Sequence, residues 1–208
     1  MQYRSPLKNG RFYHIYNKSI DRIKIFQSHR TATRFLGTLK YYQSANALQR
    51  FSTYLTLPFG DKIIAQKHLD DERSHHVNIL CYCLMPNHYH LLLRQTKTNG
   101  ILTFMSQSIN SFTHFYNRLH DRKGTLFVQN FQYRMIEDDN DLIYVSKYIH
   151  LNPLSSSIIK KVDTLDSYKL SSYPYYIGSS KDDILLRNKS LFSYFNTDSL
   201  NYKKMFDQ

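Results

Sequence analysis

The sequence predicts an α+β fold of the ferredoxin-like, split βαβ kind. One antiparallel sheet carries helices on one face, and a further C-terminal helix is added to it. Three observations predict this. Two strongly apolar runs, HVNILCYCL and HYHLLLR, flank the turn signal Met85-Pro86-Asn87. Stretches with apolar residues at helical spacing lie on both sides of that hairpin. Shorter strand-like segments, RFYHIY and QYRMIE, open and close the series, so the order is β-α-β-β-α-β-α.

Residues 11–16 form the first strand, with Phe12 and Tyr13 on opposite faces. Residues 20–26 lead into a helix over 31–46, where Phe35, Leu36, Leu39 and Tyr42 trace one stripe. Residues 52–71 mix turn residues with short apolar pieces, and no element is assigned there. Residues 76–84 and 88–94 are the hairpin strands. Asn99-Gly100 precedes a helix over 101–119, with Ile101, Met105, Ile109, Phe112, Tyr116 and Leu119 on one side, and Gly124 ends it. Residues 132–137 form the last strand. Asp138, Asp139 and Asp141 then cap a helix over 142–151, which Pro153 is expected to stop. Beyond Leu154 the chain is rich in Ser and Tyr, with weak helices. Residues 1–178 are read as one domain. Residues 179–208 are read as a tail packed on it or partly frayed.

A chain of 208 residues supports one full-sized core. The apolar runs 79–85 and 91–93 are too short to cross a bilayer, and MQYRSPLKNG lacks the apolar stretch of a signal peptide. Cys81 and Cys83 alone do not make a disulfide framework. The expected location is the cytoplasm, with no membrane partner. There are 28 Lys and Arg against 16 Asp and Glu, a net charge of +12, with 18 Tyr and 13 Phe. Cations track phosphates and aromatic rings stack on unpaired bases, so this balance suits a nucleic-acid partner.

Two short stretches carry chemistry. On a strand, His88 and His90 share a face about 7 Å apart at Cα. Two neutral imidazoles so placed can share a divalent metal; the plainer reading is a polar strand face. Tyr89 points to the other face and belongs in the core. Cys81 and Cys83 extend the pattern to C-x-C-x4-H-x-H, a conceivable four-ligand zinc hairpin, but the spacing is tighter than common zinc motifs. Their plainer reading is two small buried apolar residues. In YIHLNP, Tyr148 and Asn152 stand at i and i+4 and share a helical face, with Tyr144 one turn earlier. A phenol and an amide there can supply a nucleophile and a neutral oxygen ligand. The plainer reading packs Tyr144 and Tyr148 in the core and makes Asn152 a helix cap.

MPNHYHLLL, followed after a long helix by YIHLNP, resembles the single-tyrosine HUH transposases, the insertion-sequence and REP-associated tyrosine transposases. FYHIYNKSIDRIKIF is similar to their opening strand, GTLFVQNFQYRMI to their fourth strand, and SYKLSSYPYY to a Ser-Ser-Tyr segment of the REP-associated branch. Where that family usually has Arg and Gly after the Asn of the first strand, Lys18 and Ser19 stand here, and residues 52–75 have no clear counterpart. The resemblance implies a ferredoxin-like fold and a DNA transposase. It implies His88 and His90 as ligands of Mg²⁺ or Mn²⁺, Asn152 as an amide near that metal, and Tyr148 as the nucleophile. It also implies single-stranded DNA with hairpin structure as partner, cleaved and rejoined through a 5′-phosphotyrosine, by a monomer or a homodimer. The readings weighed against it are a catalytically silent nucleic-acid-binding module and an HUH replication or relaxation nickase. A tyrosine recombinase would leave the His-x-His strand without a purpose.

Overall fold

In the computed structural model, four strands form one sheet: β1 (Phe12–Lys18), β2 (Val77–Met85), β3 (His88–Gln95) and β4 (Gln132–Met135). The structure describes residues 6–128, 130–181, 184–185, 191–195 and 198–206. The strands run β2-β3-β1-β4, each antiparallel to its neighbour. This is the order of a split βαβ arrangement, with the hairpin strand β3 inserted beside β1. Tyr16 of β1 lies opposite His90, Lys18 opposite His88, and His14 opposite both Leu92 and Arg134. Cross-strand partners share a face, so this register decides what surrounds the histidines.

One face of the sheet is covered by α1 (His29–Tyr42) and α4 (Gly100–Leu119). Ser28 caps α1 by accepting the Thr31 N–H. The apolar stripes meet the sheet in a ring cluster: Tyr89 packs 5.2 Å from Phe35 and 5.7 Å from Phe127, and Phe35 lies 5.0 Å from Phe112. Tyr89 is therefore core, as its position between two outward histidines requires. Helix α4 begins where the backbone runs tight against the start of β2. A Cβ on Gly100 would overlap the His76 carbonyl, so no larger residue fits there.

The opposite face carries α5 (Asp139–Ser155), the added helix. Asp138 caps it by accepting the Asp141 N–H at 2.8 Å. Leu142, Val145, Ile149 and His150 are its buried side. Contrary to the expected stop, α5 runs through Pro153 to Ser155. A proline this close to the end removes only one donor from the last turn. The end is closed instead by Ser156 N–H on the Asn152 carbonyl and by Ile158 and Ile159 N–H on the Pro153 carbonyl.

Residues 52–71, unassigned from sequence, fall mostly in α2 (Phe51–Leu55) and α3 (Phe59–Leu69). They are anchored by Tyr41 against Phe51 and Tyr54, at 5.1 and 4.9 Å, and by the Tyr54 hydroxyl donating to Gln66 at 2.6 Å. Beyond α5, the Ser-Ser-Tyr segment pairs with the free edge of β2. Leu84 N–H donates to the Leu170 carbonyl and Ser172 N–H to the Tyr82 carbonyl. A sheet edge is thereby covered. Three short helices follow, α6 (Tyr173–Tyr176), α7 (Phe192–Phe195) and α8 (Ser199–Lys204). Leu191, Tyr202 and Phe206 are buried. Parts of the 179–208 tail lie outside the described residues. Among the described residues, no helix is long and apolar enough to cross a membrane.

Candidate active site on the sheet face beneath the tyrosine helix

The site lies between the α5 face of the sheet and α5 itself. A cavity of about 340 Å³ is lined there by His14, Tyr16, His90, Arg134, Tyr144, Val145 and Tyr148. Its floor follows from strand alternation. His14 and Tyr16 on β1 and His90 on β3 all point to this face, and adjacent strands bring them together. His88 is two residues from His90 on the same face, with ring centroids 5.2 Å apart.

The histidines are held by specific partners. The His88 Nδ1–H donates to the Asn87 carboxamide oxygen at 2.8 Å, which leaves Nε2 with its lone pair. Nδ1 of His90 lies 2.9 Å from Nε2 of His14, and the two rings stack at 5.1 Å. Nε2 of His90 is thus the ring nitrogen outside that pair. Burial holds His88, His90 and His14 below the ordinary imidazole range. The neighbouring imidazoles add to the effect on His90, and the Arg134 guanidinium adds to it on His14. The rings are therefore neutral near neutral pH, the form that binds metals.

From above, Tyr148 presents its ring edge-on to both, 5.6 Å from His90 and 5.7 Å from His14. It is 44% exposed and Tyr144 is 67% exposed. The plainer reading, in which both phenols pack in the core, is overturned. Their side of α5 overlies the polar part of the sheet and opens to solvent. Asn152, one turn on, is nearly buried, and its Nδ2–H donates to the Tyr148 carbonyl at 2.8 Å. Since Nδ2 faces a carbonyl, Oδ1 is the atom left to accept or ligate. The fold thus brings His90 and Tyr148 together in the cavity, with His88 beside His90 and Asn152 on the tyrosine helix, both outside the cavity lining.

Two neutral imidazoles and one amide oxygen suit a divalent ion that completes its shell with oxygen from water or phosphate. Among the described residues, no group of three or more His, Cys, Asp or Glu is arranged to hold a metal. The four-ligand zinc hairpin is not formed. Cys81 and Cys83 are fully buried, and burial pushes their thiols up, away from the thiolate that zinc needs.

Residues 61–152, from α3 to Asn152, match the family described as "Transposase IS200 like". Over these 92 of its 208 residues the chain is similar to IS200-like transposases. The matched span includes His88, His90, Tyr148 and Asn152 and leaves out β1. No curated protein sequence matches the chain significantly. Among solved structures, a REP-associated tyrosine transposase bound to a REP hairpin superposes with a TM-score of 0.55 at 11% identity, covering 90% of this chain and 98% of its own. At that identity the likeness speaks for the fold alone.

Three residues of this site were not anticipated: His14, Tyr16 and Arg134. A signal for the first two was present. His14-Ile15-Tyr16 repeats the i, i+2 spacing of His88-Tyr89-His90, on a strand that a split βαβ order places beside it. Arg134 carried no signal, because its neighbours depend on the pairing of β4 with β1.

Proposed function

We propose that this protein is a metal-dependent transposase that cleaves and rejoins hairpin-containing single-stranded DNA through a covalent 5′-phosphotyrosine. The observation that carries the reading is Tyr148, half-exposed, its ring set edge-on to His90 with centroids 5.6 Å apart at an open cavity. His88 and His90 would hold Mg²⁺ or Mn²⁺ through Nε2, and Asn152 would add its Oδ1. When bound, the ion supplies Lewis-acid polarisation of a phosphate oxygen.

The protein's own part is nucleophile and placement. Tyr148 Oη attacks phosphorus, the bond from phosphorus to the 3′ oxygen breaks, and the phenol proton is balanced by the one gained at the departing 3′-OH. The phosphodiester energy is kept in the phosphotyrosine, so a second 3′-OH reverses the step and joins new ends. The +12 charge and the exposed rings of Tyr16 and Tyr144 suit a single strand led into the cavity. The hairpin ligand of the solved relative supports a hairpin substrate here. The ring of Tyr148 meets that of His90 within one copy, an arrangement open to a monomer or to a homodimer.

The test is a hairpin oligonucleotide labelled on the 3′ side of the expected break and incubated with Mn²⁺. A labelled protein band that survives denaturation is expected, and it should vanish without divalent metal or in Tyr148→Phe. Binding without any covalent band, across Mg²⁺ and Mn²⁺, would leave a silent binding module instead.

A further inference from the structure

We propose that Arg134 is a catalytic residue that receives the phosphate under attack, with its guanidinium set in place by Asp141. This rests on the reading of the chain as a DNA-cleaving enzyme. Of the side chains lining the cavity, Arg134 alone carries a permanent charge. It stands on β4 opposite His14, so it shares the sheet face of the histidines.

Its orientation is imposed by the tyrosine helix. Nη1 and Nη2 of Arg134 donate to the two carboxylate oxygens of Asp141 at 2.9 and 2.7 Å. That carboxylate also accepts the Glu137 N–H at 3.1 Å. Asp141 lies in the first turn of α5, two turns before Tyr148. A guanidinium has five N–H groups, and Asp141 takes two of them. Arg134 is half-exposed, so the others are within reach of a ligand.

An ion pair this open to water contributes little to stability. Its consequence is geometric: a planar cation is fixed at the cavity wall before substrate arrives. Attack by a phenol on a phosphodiester builds negative charge on the non-bridging oxygens. The neighbouring imidazoles are neutral and do not offset it. A preorganised guanidinium with free N–H groups matches a phosphate in both charge and shape.

The test is single-turnover cleavage by wild type, Arg134→Gln, Arg134→Lys and Asp141→Asn. Each is run on a hairpin oligonucleotide whose scissile linkage is either the normal diester or an uncharged methylphosphonate. Arg134→Gln is expected to slow diester cleavage by about 10²-fold or more, with Arg134→Lys and Asp141→Asn between it and wild type. On the methylphosphonate the gap between wild type and Arg134→Gln should shrink by about tenfold or more, because no full anion is left to neutralise. Hairpin affinity should stay within about threefold, since many other phosphates carry it. Wild-type rates for Arg134→Gln on the diester would overturn the proposal. So would an equal loss on both linkages, which would mean that Arg134 only ties β4 to α5. No cleavage by wild type would instead sink the underlying reading, and this assignment with it.

Discussion

His14 Nε2 and His90 Nδ1 are 2.9 Å apart, so one imidazole from β1 fixes the ring of an imidazole from β3. A histidine that ligates a metal through one nitrogen needs its other nitrogen engaged, which sets both ring angle and tautomer. In this pair the metal-facing role proposed for His90 would require its Nδ1 to be the donor and His14 Nε2 the acceptor.

Replacing His14 should therefore weaken metal binding although His14 is not among the proposed ligands. His14→Phe keeps a ring in the stack but offers no acceptor. It is expected to lower Mn²⁺ affinity by about 10- to 100-fold, read by titration calorimetry or by the paramagnetic signal of free Mn²⁺. Unchanged affinity would mean that His90 is oriented by the strand alone.

The nucleophile can be separated from its neighbour. Tyr144 lines the same cavity, but the ring contacts to His14 and His90 belong to Tyr148. Tyr148→Phe should abolish the covalent DNA adduct and leave the fold and hairpin binding intact, because one oxygen is removed from a half-exposed ring. Tyr144→Phe should keep at least part of the cleavage. Mass spectrometry of the trapped adduct should find the nucleotide on Tyr148, and a modified Tyr144 would reverse the assignment. The assignment rests on ring contact, since α5 continues through Pro153 and has no hinge there.

If one chain holds the complete site, two crippled chains cannot repair each other. Mixing His90→Ala with Tyr148→Phe should give no adduct beyond the sum of the two alone. Restored cleavage in the mixture would show that the tyrosine helix of one copy serves the histidines of another.

The other histidine of the motif has a structural part and an acid signature. His150 is fully buried, bonded to the Tyr202 hydroxyl and the Ser172 hydroxyl at 2.8 Å each. Burial lowers its pKa to about 3. In the unfolded chain an ordinary imidazole titrates near 6.5. Between those values the unfolded state binds a proton that the folded state refuses, so the stability present above about 6.5 falls as pH drops toward 3. The slope approaches about 1.4 kcal/mol per pH unit for one such group. His150→Gln should flatten thermal stability against pH between 6.5 and 4 by up to that amount. An unchanged slope would mean that His150 does not stay neutral in the folded protein.

Much of this protein was already legible in one dimension. Alternation placed Tyr89 in the core and His88 and His90 on the other face, and the 3.6-residue stripe of α4 marked its buried side. The order of elements was enough for the sheet, because a hairpin between two helical crossovers has few ways to close. The i, i+4 spacing put Tyr148 and Asn152 on one face of α5, although it could not say that this face was open. That was decided by where α5 lands, and it lands over the polar part of the sheet, so Tyr144 and Tyr148 stay accessible. The His14–His90 pair and the Arg134–Asp141 fork join residues 76 and 7 positions apart. The first depends on the register of β1 against β3 and the second on where β4 lies against α5, and both are settled only by tertiary packing. The helix that ignores Pro153 was equally hidden: local rules counted a missing donor, while the folded chain closed the end with N–H groups from residues 156, 158 and 159. Period and propensity are local properties and can be read along the chain. Which side chains share a cavity depends on strand register and helix placement, and these are settled by burial summed over the whole core.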